Sequence, residues 1–405
     1  MMKFGFSKRV IITLGTISTC FTLLFLYLIS TDYSSNNNHL SYTYDDDTTV
    51  LTTLKEQPKC LKNTAITERP TKQQWEQCLA PGADPSYYLS IVIVTRMDDY
   101  AGGQHHRFQN FIDSAFLLAE NTKEKIELLI IEWNPPEDKR RVVDVFRFRQ
   151  SEYLTYRIIT VPKKIHEFLP NRGGSPLHEF EGKNVGIRYA RGEFIVCTNQ
   201  DDIWSHNFHN AIKSRAFKKG MIYLQYQAKH NIHENFPPTI VDLPPFPDDT
   251  TLYNACHLDD QDWGNYKLPE PITVNTVHQT PEFILTVADQ AGDFTMAHRD
   301  TWKIPRGYRE AGGIAWMDIE FICTATWTFD IPVVYSYKSF ACHQHHQNIW
   351  EGRKDQHTDN SNINMGMIER KEVKYVNKEN EWGLQHVDTW TMGLECLEFR
   401  GGLCW

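Results

Sequence analysis

Four nearly continuous apolar runs, separated by polar or amphipathic stretches, occupy the middle of the chain. Runs rich in Val, Ile and Leu without alternation are typical of strands buried on both faces of a sheet. Between the runs, apolar residues recur at the three- and four-residue spacing of a helix. The predicted strands are residues 89–94, 126–136, 154–162 and 193–202, and the predicted helices are residues 107–121, 142–149 and 182–190.

This alternation of strands and helices predicts an α/β fold with a mostly parallel sheet flanked by helices. Ligands of such sheets bind at the carboxyl ends of the strands. Polar residues stand at three of these ends, namely residues 95–96, 132–134 and 199–202. We therefore expect a ligand site along this edge of the sheet.

The pattern changes in the second half of the chain. Residues 227–290 are rich in Pro, aromatic and acidic residues, which indicates either a long loop over the site or a surface insertion without a role. The later part of residues 312–329 has the apolar face of a helix. Residues 331–347 predict a last strand, parallel to the others, that ends in histidines.

The first residues predict a membrane anchor. Residues 10–30 carry no charge and follow a basic flank, and about 20 such residues cross a bilayer. A cleaved signal peptide is the alternative. We expect residues 1–9 to be a cytosolic tail, residues 31–86 a polar stalk, and residues 87–405 a domain in the lumen or outside the cell.

Composition supports a folded chain and excludes one class of partner. The 405 residues are 41% hydrophobic and 13% aromatic, which suffices for one large core or two ordinary ones. The net charge is -9 and no basic stripe is visible, so no nucleic-acid partner is expected.

Eight of the nine cysteines lie outside the apolar N-terminal run, and an oxidising compartment would allow them to pair. Cys197 and Cys323 lie within apolar runs, so we expect both to be buried free thiols. The local pairs expected for the others are Cys60 with Cys78 and Cys396 with Cys404.

Two groups of residues suit a divalent cation. Asp201 follows the fourth predicted strand, and a carboxylate beside an amide is a hard oxygen site for Mg²⁺ or Mn²⁺. The alternative is that Asp202 or Ser205 caps a following helix. His343 and His346 follow the last predicted strand, where imidazole would bind Mn²⁺ or Zn²⁺.

Asp318 is the predicted general base. It stands at the start of an apolar helix, where it either caps the helix or accepts a proton from a hydroxyl in the cleft. Glu320 is the competing carboxylate, about 200° around the helix.

These blocks together resemble a glycosyltransferase of the GT-A (Rossmann-like) fold, close to family 2, over roughly residues 89–346. In that family the fourth strand ends in a D-x-D motif that holds a divalent cation and the donor diphosphate. Here Asn199 stands in place of the first Asp. The blocks are LSIVIVTR, ELLIIEWNPP, KNVGIRYARGEFIVCTNQDDIWS, GDFTMAHRDTWKIPRGYRE and MDIEF.

The resemblance implies a role for each matching residue. A carboxylate in the position of Asp318 acts as the base of inverting members, and Asp201 with His343 or His346 would hold the cation, Mn²⁺ or Mg²⁺. The implied nucleotide-sugar site comprises Thr95, Arg96, Glu132, Asn134, Asn184 and Asn199, and the implied acceptor site comprises Gly292, Asp293 and Trp316.

Anchor, stalk and lumenal domain are similar to the plan of a single-pass type II membrane protein of the Golgi or another endomembrane. The resemblance implies a nucleotide-sugar donor and a glycan, glycoprotein or glycolipid acceptor. One alternative is a non-catalytic carbohydrate-binding protein of the same fold, with Trp263, Tyr266 and Trp316 stacking on sugars. Another is a sugar nucleotidyltransferase, although only Gly102 and Gly103 follow the first strand.

Overall fold

The protein is described by a computed structural model that covers part of the chain. The chain divides into two units, Met1–Pro58 and Lys59–Trp405, and all described residues belong to the second. In the part that the structure describes, no helix is long and apolar enough to cross a membrane, and the predicted span at residues 10–30 lies outside it. The described residues are 61–62, 70–80, 85–170, 174–227, 239–256, 268–271, 284, 287–288, 291–310, 317–336, 338–346 and 365–404.

An eight-stranded mixed sheet forms the centre of this unit, in the order β10-β7-β9-β5-β2-β3-β4-β12. Six strands run in one direction, and only β9 and β12 are antiparallel to their neighbours. The strands are β1 (Leu61–Lys62), β2 (Tyr87–Thr95), β3 (Ile126–Trp133), β4 (Leu154–Val161), β5 (Gly192–Thr198), β6 (Asp202–Trp204), β7 (Ile222–Gln225), β8 (Ile240–Val241), β9 (Phe294–His298), β10 (Val333–Ser336), β11 (Ala341–Gln344), β12 (Glu395–Phe399) and β13 (Leu403–Cys404).

Helices pack on both faces of the sheet, and an apolar layer lies on each side. This confirms the predicted α/β fold with a mostly parallel sheet. The helices are α1 (Lys72–Leu79), α2 (Gln104–Thr122), α3 (Val142–Val145), α4 (Lys163–Phe168), α5 (Glu179–Tyr189), α6 (His206–Lys213), α7 (Asp249–Ala255), α8 (Arg299–Lys303), α9 (Met317–Cys323) and α10 (Met365–Glu369), and a π-helical turn (Thr324–Thr328) follows α9.

The predicted last strand is wrong in two respects. Residues 331–347 form two strands, and β11 pairs antiparallel with β6 in a separate three-stranded sheet. The side chain of Gln225 explains the break, because its Oε1 accepts hydrogen bonds from the backbone N–H groups of Phe340 and Ala341 at 2.8 Å each. A side chain thus replaces a strand neighbour, and the chain leaves the main sheet.

The predicted disulfide pairs are also wrong. Cys78 is bonded to Cys396 rather than to Cys60, and Cys256 is bonded to Cys342. Helix α1 packs against the edge strand β12, which brings Cys78 and Cys396 together across 318 residues of sequence. Local spacing therefore carried no information about the partner.

Two other expectations about cysteine are confirmed, since Cys197 and Cys323 are buried free thiols. Cys197 lies in β5 and Cys323 ends α9. Burial raises the pKa of both thiols, so both stay protonated at neutral pH.

Helix α5 lies close to β2, and a glycine allows the approach. A methyl group at Gly182 would lie 2.6 Å from Cγ1 of Val94, well inside van der Waals contact. Because α5 precedes β5 in the chain, this packing fixes where β5 enters the sheet.

We expect Gly182→Ala to destabilise the protein by about 1–2 kcal/mol, because overpacking outweighs the helix propensity that Ala gains. Urea unfolding checks this. In the double variant with Val94→Ala the two losses should not add, because the second change removes the overlap. Additive losses would show that the contact with Val94 is not the cause.

Candidate functional site

The turn after β5 is closed by one of its own carboxylates. Oδ2 of Asp202 lies 2.6 Å from the hydroxyl of Thr198 and accepts a hydrogen bond from the backbone N–H of Asn199 at 3.1 Å. Asp202 is therefore not the cap of the next helix. Ser205 caps α6 by accepting a hydrogen bond from the N–H of Phe208.

The neighbouring strand β9 adds a third carboxylate. Thr198 pairs with Phe294, so Asp293 stands beside Asn199, whose Nδ2 donates a hydrogen bond to Oδ1 of Asp293 at 2.6 Å. The resemblance assigned Asp293 to the acceptor side. The structure places it beside Asn199 and the predicted cation ligands, because the antiparallel register brings the start of β9 next to the end of β5.

His343 lies in the middle of these carboxylates. Its backbone pairs with Asp202 across β11 and β6. Its Nδ1 is 3.4 Å from Oδ1 of Asp202, 3.6 Å from Oδ1 of Asp201 and 3.8 Å from Oδ2 of Asp293. Its Nε2 is 3.0 Å from Nε2 of His346, which is in turn 3.4 Å from Oδ2 of Asp201.

The charges of this cluster are strongly coupled. Burial opposes ionisation of Asp201, but His343, His346 and Arg107 outweigh it and lower the pKa of Asp201 to about 2. Burial also opposes the charged form of His343, yet the surrounding carboxylates raise the pKa of its imidazole to about 10. Burial and Asp293 raise the pKa of Asp202 to about 6. The carboxylates thus favour a positively charged group at the centre of the cluster.

These residues fit a divalent cation. The ligand atoms of Asp201, His343 and His346 lie within 4.8 Å of one another, and so do those of Asp202, Asp293 and His343. The Nδ1 of His343 is buried and makes no hydrogen bond of normal geometry with the residues described here. Carboxylate oxygens with imidazole nitrogens suit Mn²⁺. The three predicted ligands are therefore brought together.

Three predicted nucleotide-binding residues line the same edge of the sheet. Thr95 Oγ1 donates a hydrogen bond to Oε1 of Gln200 at 2.5 Å, which ties the end of β2 to the Asp201 turn. Arg96 Nε donates to the backbone oxygen of Asn134 at 2.9 Å. Asn134 itself adopts φ 45°, and its Nδ2 donates to the backbone oxygen of Pro176.

The side chains of Glu132 and Asn184, also predicted to bind the nucleotide, are instead hydrogen-bonded to other parts of the protein. The buried carboxylate of Glu132 accepts hydrogen bonds from Arg141 Nε, Val142 N and Thr160 Oγ1 at 2.7, 2.8 and 2.9 Å. Its oxygens are committed to these cross-links.

The buried amide of Asn184 is engaged in the same way. It donates to the backbone oxygen of Tyr308 at 2.7 Å and to Oε1 of Glu310 at 3.0 Å, and accepts from the N–H of Tyr308 at 2.8 Å. Asn184 therefore fixes the segment after α8, with both N–H groups and the oxygen of its amide engaged there.

Asp318 lies on the first turn of α9, across from Gly292. A methyl group at Gly292 would lie 3.4 Å from Oδ2 of Asp318, so the two residues face each other. Burial raises the pKa of the Asp318 carboxyl to about 6, and the charge of Lys183 opposes the rise. The buried carboxylate of the competing Glu320 forms a two-point ion pair with the partly exposed Arg309. Trp316, predicted on the acceptor side, lies outside the described residues.

Sequence reasoning missed two buried cations. Arg107 on α2 points its Nε at Oδ2 of Asp201, 3.6 Å away, and Lys183 on α5 reaches Asn199 and Gly292. Both side chains are under 5% exposed. Arg107 is the first residue of its predicted helix and follows polar residues, so the apolar pattern gave no signal that it is buried.

Comparisons with known proteins are weak. No family model matches the chain and no curated protein does. Similar solved structures include TarS 1-349 of S. aureus at 12% identity and a TM-score of 0.34, covering 64% of this chain and 60% of that one. Its complex with UDP-GlcNAc matches at 10% identity and a TM-score of 0.35, with 64% and 59% covered.

A second protein is GalNAc-T7 with UDP, GalNAc and Mn²⁺, at 10% identity and a TM-score of 0.32, covering 65% of this chain and 44% of that one. The chain spans about 60% of the length of the TarS structures it matches. Similarity at this level carries no argument about activity, which has to come from the site itself.

We expect Asn199→Asp to destabilise the protein by about 1–3 kcal/mol in a chelator, because a carboxylate would replace the donor that faces Asp293. Mn²⁺ should restore part of this loss. Thermal unfolding with EDTA and with MnCl₂ measures both effects. Asn207→Asp is the matched control, a buried amide bonded to the backbone oxygen of Lys338 away from the cluster. Equal stability of Asn199→Asp and the parent in EDTA would contradict the prediction.

Proposed function

We propose that this chain is a glycosyltransferase of the GT-A type that moves a sugar from a nucleotide-sugar donor to a hydroxyl acceptor. One observation carries the proposal. Asp201, His343 and His346 converge where β5 ends, at the carboxyl edge of a mostly parallel sheet. Ligands of open α/β sheets bind at this edge, and a cluster of carboxylates and imidazoles there suits a metal-bound diphosphate.

Asp201, His343 and His346 are the proposed ligands of the cation, Mn²⁺ or Mg²⁺. When bound, the cation neutralises the charge that develops on the departing diphosphate. The chain's own residues also fix the two carboxylates beside these ligands. Asn199 holds Asp293 at 2.6 Å, and the N–H of Asn199 holds Asp202, so neither carboxylate has to be reoriented on binding.

The donor nucleotide is proposed to lie beside Thr95, Arg96 and Asn134. The contacts of Arg96 with Asp98 and Asn134 tie two loops at the strand ends into one wall. This wall adjoins the cation cluster, because Thr95 and Gln104 both bond Gln200, the residue before Asp201. A donor with its diphosphate at the cluster would therefore place its nucleoside against this wall.

Asp318 is proposed as the base that takes the proton of the acceptor hydroxyl, with inversion at the sugar. With a pKa of about 6 the carboxyl is mostly ionised at pH 7, yet basic enough to accept a proton. Its position across from Gly292 places it beside the cation cluster, since Gly292 adjoins Asp293. Glu320 does not compete for this role because Arg309 holds it.

The compartment belongs to the proposal as well. Two disulfides, Cys78–Cys396 and Cys256–Cys342, favour an oxidising environment. We propose a single-pass type II protein of the Golgi or another endomembrane, anchored by residues 10–30, with a glycan, glycoprotein or glycolipid acceptor. Expression of a tagged chain, followed by protease protection of its C-terminus, tests this topology.

A nucleotide sugar should stabilise the protein in the presence of Mn²⁺. At a hundredfold excess over Kd the expected gain is about 2.7 kcal/mol. A thermal-shift screen with UDP-, GDP- and CMP-sugars, with Mn²⁺ or EDTA, identifies the donor. Asp201→Asn and His343→Gln should lose the shift, while Asp249→Asn, an exposed partner of Arg149, should keep it. If no nucleotide sugar shifts the parent protein, the proposal fails.

Asp318→Asn should lower the rate of transfer about 10²–10⁴-fold and leave donor binding nearly unchanged, because only the proton acceptor is removed. In the parent, kcat/KM should rise with pH through about 6 as Asp318 loses its proton. Turnover and calorimetric donor binding check both statements. Asp330→Asn, an exposed partner of Lys371 beyond α9, is the control. Full activity of Asp318→Asn would remove Asp318 from the role of base.

A further inference from the structure

Lys183 is a buried lysine that the proposed function does not yet use. Its ammonium lies 2.7 Å from Oε1 of Glu179, 3.2 Å from the backbone oxygen of Gly292 and 3.4 Å from Oδ1 of Asn199. An ammonium has three N–H donors, so these three acceptors use all of them. The side chain is 2% exposed.

Burying this ammonium costs free energy, and the need to fill the space does not explain why a charged side chain is present. A buried ammonium loses its hydration, and an apolar side chain of similar length would fill the same space without that loss. Burial alone would lower the pKa of Lys183, but Glu179 raises it above its ordinary value, so the ammonium stays charged. The fold therefore keeps a positive charge at this point.

The position of that charge is specific. One contact reaches Asn199, which holds Asp293 in the cation cluster. The other reaches the backbone of Gly292, the residue that faces Asp318. Lys183 thus stands between the cluster and the proposed base, and it is bonded to the backbone segment that separates them.

We infer that Lys183 is a positioning residue of the proposed transfer reaction: it fixes Gly292 beside Asp318 and keeps the Asp318 carboxylate ionised. The inference rests on the proposed function and adds to it. Without Lys183, a larger fraction of the same buried carboxyl would hold its proton at neutral pH, and that fraction could not accept one from the acceptor hydroxyl.

Among the described residues whose charges act on Asp318, Lys183 is the cation. Helix α5 contributes Lys183 and Glu179, which act on the pKa of Asp318 in opposite directions, Lys183 lowering it and Glu179 raising it. Tyr308 faces it from the segment after α8 and Cys323 from α9 itself. Burial raises the pKa of both, so both are neutral. Glu320, also on α9, is balanced by Arg309.

The test is the pH profile of kcat/KM in two variants with opposite expected signs. Lys183→Met should move the acidic limb to higher pH by about one unit, because a buried favourable charge is lost. Glu179→Gln should move it to lower pH, because an unfavourable charge is lost. Lys183→Arg keeps the charge and should leave the limb near that of the parent. The ratio of kcat/KM in Lys183→Met to kcat/KM in the parent should therefore rise between about pH 6 and about pH 8.5.

A purely structural role would lower activity equally at every pH. Parallel profiles for Lys183→Met and the parent, or shifts of one sign for both variants, would overturn the inference. If Lys183→Met does not fold, Lys183→Gln, which also removes the charge but keeps a polar side chain, replaces it and is judged by the same criteria.

A second measurement separates this inference from the proposed function. Carbon-13 NMR of Asp-labelled protein follows the Asp318 carboxyl through its titration without substrate, with Asp318→Asn for assignment. Transfer absent from the parent, with the titration still shifted upward in Lys183→Met, would refute the proposed function and retain the electrostatic pairing. An unshifted titration would refute the role of Lys183 whatever the activity.

Discussion

The antiparallel pairing of β9 with β5 is the constraint on which the site depends. One register, with Thr198 opposite Phe294, sets Asp293 against Asn199 and Gly292 against Asp318. A slip by one residue would turn every side chain of β9 to the other face of the sheet. Strand β9 runs antiparallel to both of its neighbours. This direction brings the proposed metal ligands, Lys183 on α5 and Asp318 on α9 close together.

The sequence predicted the part of the fold that repeats a simple pattern. Strands β2, β3, β4 and β5 are buried along nearly their whole length, so each appears as an apolar run. The sequence analysis missed β7, β9 and β12, which have four or five residues each. A strand this short has too few residues to show a pattern of apolar and polar positions, and long-range pairing sets its place in the sheet. The same reason explains the wrong disulfide pairs.

The site was predicted in part for a related reason. Asp201 follows β5, His343 lies one residue before the end of β11 and His346 follows β11, and the ends of strands can be read from sequence. The hydrogen-bond partners of a side chain cannot be read from sequence. Glu132 at the end of β3 has the chemistry of a ligand, yet its oxygens serve Arg141, Val142 and Thr160. Conversely, the amide of Asn199 both donates to Asp293 and accepts from Lys183, and neither partner could be predicted from the sequence.

The bond between Cys256 and Cys342 has a consequence for the protein's biosynthesis. Cys342 directly precedes His343, so the strand that carries the imidazole is covalently tethered to the end of α7. In a newly made, reduced chain only noncovalent contacts would hold that strand near the carboxylates. Formation of this disulfide would then preorganise the proposed cation site.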